Sequence, residues 1–216
     1  MNKVSPILQE IKTMFLSSYL ENVVTEYSII LKEEDENATT KQVECNCSNI
    51  KELLCYKFDK DVNQKVKKGE IIQTVNIQNG ELFPFFENIK GLKAIPDFIL
   101  FYNFHKKTNK ENYLFCFLIN LKSGVAGSNA MQLKRGKIFA DFIIQHTYTS
   151  LDLEIIPLRT VSICYKSKNP NQKNQKRASL QESQKQAYYF EGAYLSFYKD
   201  DIKDLDNICL HFLNSH

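Results

Sequence analysis

Three polar residues at the ends of two apolar segments have the types and spacing needed for phosphodiester chemistry. Asp97 follows Pro96 at the start of the first segment, and Asn120 and Lys122 end the second. Side chains two positions apart on a strand point to the same face, so Asn120 and Lys122 share a face. If the two segments pair as a hairpin, a carboxylate, an amide oxygen and an ammonium group meet at one edge of a sheet.

This grouping suits hydrolysis assisted by a hard divalent cation. Asp97 offers an anionic oxygen to Mg²⁺, which commonly uses one or two carboxylates and keeps several waters. Lys122 can orient or help deprotonate the attacking water and offset charge on the phosphorane. Asn120 can coordinate without contributing charge, so we expect lower metal affinity unless another acid takes part. Glu87 is the first candidate for this additional acidic ligand and Glu21 is the second. Glu10 and Glu81 are also open.

The two segments themselves predict a β-hairpin. Residues 94–102 are rich in β-formers, and residues 112–122 are almost uniformly apolar, with a charged turn at 105–111 between them. A strand that is apolar at nearly every position is typically buried on both faces. We therefore expect the second strand to lie inside the sheet, with its polar end at the sheet edge.

A helix is predicted directly behind this hairpin. Ser128 or Asn129 can cap it after the break at residues 123–127, and its pattern continues to about residue 147. Its beginning is basic, which predicts contact with the phosphates of a nucleic acid or support for Lys122; a solvated helix end fits equally well. The residues concerned are Gln132, Lys134, Arg135 and Lys137.

The remaining patterns predict a single α/β domain over residues 1–216. They comprise an amphipathic helix at 4–25, an acidic loop at 32–41, a short helix at 50–58, strands at 70–77 and 154–166, apolar patterning at 187–198 and a final helix at 200–213. Residues 168–185 are polar and basic, which predicts a flexible surface loop; the alternative is a flap that grips phosphates and becomes ordered on DNA.

Composition limits the classes of function. The chain of 216 residues has 28 Lys and Arg against 25 Asp and Glu, so net charge alone does not indicate a nucleic-acid partner. Its six cysteines contain no pair at zinc-knuckle or thioredoxin spacing, which favours reduced thiols. The sequence lacks a signal-peptide core and any apolar run long enough for a membrane span, so we expect a cytoplasmic protein with no membrane partner. It also has no serine-hydrolase elbow and no glycine-rich phosphate loop.

The combination of Pro96-Asp97, Asn120-Leu121-Lys122 and the helix carrying Gln132 and Lys137 resembles the PD-(D/E)XK nuclease superfamily. The resemblance covers roughly residues 94–166 and departs from the family at Asn120, where most members carry Asp or Glu. It implies a restriction-endonuclease-like α-β-β-β-α-β core, with a central mixed sheet flanked by helices. It also implies that Asp97, Asn120 and Lys122 are catalytic and that the backbone carbonyl of Leu121 is a metal ligand.

The function implied by this resemblance is a Mg²⁺-dependent endonuclease that cleaves DNA, with Mn²⁺ as a substitute, in restriction or phage defence. DNA is the expected partner, together with a homodimer or a larger defence complex. Asn120 leaves open a domain that has lost catalysis and serves in nucleic-acid binding or complex assembly. An unrelated α/β interaction protein is also open, because Asp97 and Lys122 could simply be the polar ends of strands.

Overall fold

The computed structural model describes three helices, one short 3-10 helix and ten strands. The described residues are 5–15, 19–21, 27–32, 42–57, 62–68, 71–77, 96–108, 111–121, 126–154, 158–166, 190–191, 194–198 and 204–214. The predicted residues Lys122 and Glu87, and the predicted basic loop at 168–185, lie outside these ranges.

The strands occur in runs that are separated by the helices. In chain order they are α1 (Pro6–Met14), β1 (Ser28–Lys32), β2 (Gln42–Asn46), the 3-10 helix (Ile50–Glu52), β3 (Leu53–Lys57), β4 (Val62–Lys68), β5 (Ile71–Ile77), β6 (Phe98–Lys106), β7 (Glu111–Asn120), α2 (Ala126–Ser150), β8 (Arg159–Lys166), β9 (Phe190–Glu191), β10 (Tyr194–Tyr198) and α3 (Leu205–Asn214).

Six of the strands form one mixed sheet in the order β3-β6-β7-β8-β10-β9. The β3–β6, β6–β7 and β10–β9 pairs are antiparallel, whereas β7–β8 and β8–β10 are parallel. Helix α2 connects β7 to the parallel strand β8, as a parallel pair requires a long crossover. Two further antiparallel pairs, β1–β2 and β4–β5, lie outside this sheet.

The central sheet is buried on both faces, as predicted for the second strand of the hairpin. Side chains of β6 and β7 alternate between two hydrophobic clusters. One contains Phe98, Phe117 and residues of β1, β2 and α3. The other contains Ile99, Leu118 and residues of α1 and α2. The chain is therefore an α/β protein with a mixed sheet that has helices on both sides.

Several sequence-based boundaries were wrong. The predicted helix at 50–58 is a 3-10 turn followed by strand β3, because its apolar residues are buried consecutively against β6. Helix α1 ends at Met14 rather than near residue 25. Ser128 and Asn129 do not cap α2, since that helix already begins at Ala126.

No helix in the described ranges combines the length and apolar character needed to cross a bilayer.

Candidate functional site

The candidate site lies where β6 begins and β7 ends. The antiparallel register pairs Phe98 with Ile119, so the next pair outward is Asp97 and Asn120. Phe98 and Ile119 belong to the cluster on the α3 side of the sheet. Because side chains alternate along a strand, Asp97 and Asn120 face the other side, where α2 packs. The sequence prediction that the hairpin brings these two residues together is confirmed.

Asp97 and the end of β7 are joined by two hydrogen bonds. The Leu121 backbone N–H donates to Asp97 Oδ2 at 2.8 Å, and the Asp97 backbone N–H donates to Asn120 Oδ1 at 3.2 Å. Asp97 is 1% exposed and Asn120 is 0% exposed. Each bond satisfies a buried backbone donor, which would otherwise destabilise the fold.

Gln132 extends this network to helix α2. Asn120 Nδ2 donates to Gln132 Oε1 at 3.0 Å. The structure thus brings together four of the predicted site residues: Asp97, Asn120, Leu121 and Gln132. In the described residues, the hydrogen bond from the start of α2 to the end of β7 is made by the Gln132 amide and not by one of the basic residues.

The three basic residues of α2 lie at different angles around the helix. At about 100° per residue, Arg135 is about 60° from Gln132, whereas Lys134 and Lys137 are about 160° and 140° away. Lys134 is exposed, and Lys137 forms an exposed ion pair with Asp141 at 2.7 Å. Lys134 and Lys137 therefore do not share the Gln132 face of the helix.

Arg135 differs from the two lysines because it is partly buried. Its Nη1 atom is inaccessible to water and has no hydrogen-bond partner in the described part of the chain. A buried guanidinium nitrogen without a partner is costly, and an anionic oxygen would satisfy it. Among the basic residues of α2, Arg135 is the one with a buried, unpaired guanidinium nitrogen, and a phosphate oxygen would reach that nitrogen only after the side chain moves outward.

Close packing between α2 and the start of β6 holds this arrangement. A Cβ atom added to Gly136 would lie 2.4 Å from Pro96 Cγ and 2.6 Å from Pro96 Cδ. The glycine thus lets the helix backbone approach the residue directly before Asp97. The sequence analysis missed this role of Gly136, although an isolated glycine within a helical pattern is a signal of close packing.

The site has one further neighbour that the sequence did not predict. Cys164 of β8 pairs with Asn120 in the parallel register and is buried on the α2 side of the sheet. All six cysteines are buried and outside any disulfide. Burial raises the pKa of the Cys116 thiol, which belongs to the same cluster, and nearby Asp141 adds to that rise. Cys116 therefore stays protonated near neutral pH.

The donor set fits Mg²⁺ in chemical type. A carboxylate, an amide oxygen and a backbone carbonyl are the hard oxygen ligands that this ion prefers. Within the described ranges, no group of three or more His, Cys, Asp or Glu side chains could hold a metal ion. The Asn120 oxygen accepts the Asp97 N–H, so the described arrangement holds the strand ends together.

Comparison with known proteins gives no relative for this chain. No family model, no curated protein and no solved structure matches it.

Proposed function

We propose that this protein is a Mg²⁺-dependent nuclease that hydrolyses phosphodiester bonds in DNA, in restriction or phage defence. The observation that carries the proposal is the contact between Asp97 and the end of β7, next to Gln132 of α2. These are the residues through which the sequence resembles the PD-(D/E)XK superfamily.

The order of elements supports a restriction-endonuclease-like core. Helix α1, strands β3, β6 and β7, helix α2 and strand β8 follow the α-β-β-β-α-β order, and the four strands are neighbours in the sheet. The hairpin is antiparallel and the crossover strand is parallel, which makes the sheet mixed. That core would present Asp97 and Asn120 at one sheet edge.

In this proposal each residue has a distinct role. Asp97, the Asn120 side chain and the Leu121 carbonyl hold the metal, with Glu87 as a fourth ligand. The metal supplies Lewis-acid stabilisation of the charge that develops on the phosphate. Lys122 orients the attacking water and takes up its proton. Gln132, Lys134, Arg135 and Lys137, at the basic start of α2, contact the DNA backbone.

The second candidate function is a nuclease-like domain without catalysis that binds nucleic acid or assembles a complex. Both atoms of the Asn120 amide are used internally, one with Asp97 and one with Gln132. A residue that joins two elements in this way has a structural role whether or not a metal binds. This observation favours the inactive alternative.

Cleavage assays with Asp97→Asn distinguish the two functions. Asparagine keeps an oxygen that can accept the Leu121 N–H but removes the charge that Mg²⁺ needs. Wild type and variant are incubated with plasmid, single-stranded DNA and RNA, each with Mg²⁺, Mn²⁺ or EDTA. We expect metal-dependent cleavage of DNA by wild type and at least about a hundredfold loss in the variant.

A thermal-shift measurement completes the test. An active site is stabilised by Mg²⁺ or Mn²⁺, and Asp97→Asn should lose that shift while unfolding at a similar temperature without metal. DNA binding without cleavage and without a metal shift would establish the inactive module instead. Cleavage retained by Asp97→Asn would contradict the proposed site.

A further inference from the structure

Helix α2 has a second apolar face that points away from the sheet. Its buried face packs on the sheet through residues such as Leu133, Ala140 and Ile143. On the outer face, Met131, Ile138 and Phe142 are 51%, 70% and 59% exposed. We call these three residues the outer stripe.

The members of the outer stripe are aligned. Their spacings of seven and four residues place them within about 40° of one another around the helix, opposite the buried face. Such spacings are those of the apolar seam between two packed helices. Single exposed apolar side chains are common on protein surfaces, whereas an aligned row marks an interaction surface.

The charges beside the outer stripe indicate what covers it. Lys134 and Asp141 lie on the same flank of the stripe, seven residues apart and on either side of Ile138. A second α2 packed antiparallel about a two-fold axis near Ile138 brings each Lys134 level with Asp141 of the other copy. In a parallel two-fold arrangement the two copies of this flank would lie on opposite sides of the interface, so Lys134 and Asp141 of different copies would not meet.

We propose that the outer stripe is the interface between two copies of this chain, with their α2 helices packed antiparallel. A two-fold interface must be self-complementary, and this surface meets that requirement in both its apolar row and its flanking charges. The stripe lies about 100° around α2 from Gln132, so the pairing does not cover the buried contact between Gln132 and Asn120. The proposal does not require cleavage activity, but Lys134 belongs both to this interface and to the proposed DNA contacts, so the Ile138 variants are the ones that test the interface alone.

Sedimentation of the full chain tests the proposal directly. We expect wild type to have twice the mass of one chain, and Ile138→Lys to raise the dissociation constant at least about tenfold. Tyr27→Lys is the matched control, because Tyr27 is similarly exposed at 64% and directly precedes β1, whose residues pack on the other side of the sheet. Wild type that remains a single chain at high micromolar concentration would overturn the proposal.

A charge exchange and a cross-link test the antiparallel geometry. Lys134→Asp and Asp141→Lys should each weaken the dimer, and the double variant should restore it. Ile138→Cys should form a disulfide-linked dimer on mild oxidation, since the two-fold axis brings residue 138 close to its copy, and the native cysteines are buried. Tyr27→Cys should not. A dimer whose dissociation constant is unchanged by Ile138→Lys, and which gives no Ile138→Cys cross-link, would show that the two copies meet through another surface.

Discussion

At Asn120, the observed hydrogen bonds and the proposed metal coordination need different arrangements of the same side chain. Its Oδ1 accepts the Asp97 N–H, and its Nδ2 donates to Gln132, with the side chain fully buried. A metal ligand would instead need an oxygen facing the ion. Substitutions that change only one of these two properties separate them.

Asn120→Asp is the informative substitution at this position. The carboxylate can still accept the Asp97 N–H, and it adds the charge that the superfamily motif normally has. If Asn120 is a ligand, we expect cleavage to be equal or higher, and the stabilising effect of Mg²⁺ to increase. Without metal, the new carboxylate is buried beside Asp97 and loses the bond to Gln132, so we expect a loss of more than about 1 kcal/mol of unfolding free energy, measured by urea denaturation.

The matched control is Gln132→Glu. It also places a carboxylate in the Asn120–Gln132 pair, but on the helix, and it preserves an acceptor for Asn120 Nδ2. Stability should therefore change little, and the metal response should not rise as it does for Asn120→Asp. An equal response in both variants would mean that the added charge, rather than its position on β7, determines binding.

At the scale of elements, Gly136 sets the distance between α2 and the start of β6. Gly136→Ala would gain up to about 1 kcal/mol of helix propensity, yet the new Cβ would meet the rigid Pro96 ring. Because overpacking commonly costs about 1–3 kcal/mol, we expect a net loss of stability. Urea denaturation checks this, with exposed Gln145→Ala as a control on the same helix.

The same substitution also tests how the site is positioned. If α2 moves away from Pro96, the Asn120–Gln132 bond lengthens, and any metal-dependent cleavage should fall more than stability alone explains. A Gly136→Ala protein as stable as wild type would show that the helix and the strand can separate without cost.

Glu52 joins three elements through one carboxylate. It accepts the Ser5 N–H at the start of α1 at 3.1 Å, and the Asn103 side-chain N–H of β6 at 2.9 Å. An anionic acceptor at a helix N-terminus is favoured by the helix dipole. We expect Glu52→Gln to lower the unfolding free energy by about 1 kcal/mol, with exposed Glu154→Gln as the control. Equal stability of the two variants would contradict a role for the Glu52 charge.

The sequence predicted the β6–β7 hairpin and the meeting of Asp97 with Asn120 because both depend on local pattern. Two apolar runs rich in β-formers and the charged turn between them are visible in one stretch of chain. It did not predict strand β3 or the Glu52–Asn103 bond, because these depend on partners about fifty residues away. The apolar row at 53–56 suits a strand or a helix until the sheet beside it is known.

At the scale of the whole molecule, the buried cysteine thiols and tyrosine phenols predict how the free energy of unfolding depends on pH. Burial raises the pKa of the Cys47 thiol to about 12, with a further rise from Asp206 nearby. Burial likewise raises the pKa values of Tyr56, Tyr102 and Cys209. In the folded protein these groups therefore stay neutral at pH values where the unfolded chain has begun to ionise.

The sign of the effect follows from linkage. Below pH 9 a cysteine thiol is protonated in both states, and its contribution to stability is constant. Between pH 9 and about pH 12 the unfolded state loses the Cys47 proton while the folded state keeps it, so unfolding becomes easier as pH rises. The slope is about 1.4 kcal/mol per pH unit for each such group.

We therefore expect the urea midpoint to be nearly flat from pH 7 to pH 8.5 and to fall steeply from pH 9 to pH 11. Cys47→Ser removes one of these ionisable groups, because a serine hydroxyl does not ionise in this range. The fall in unfolding free energy should therefore become shallower by about 1.4 kcal/mol per pH unit. The control is Gln145→Ala, since Gln145 is exposed and the substitution changes no ionisable group. A midpoint that stays constant up to pH 11 would mean that these groups reach solvent in the folded state.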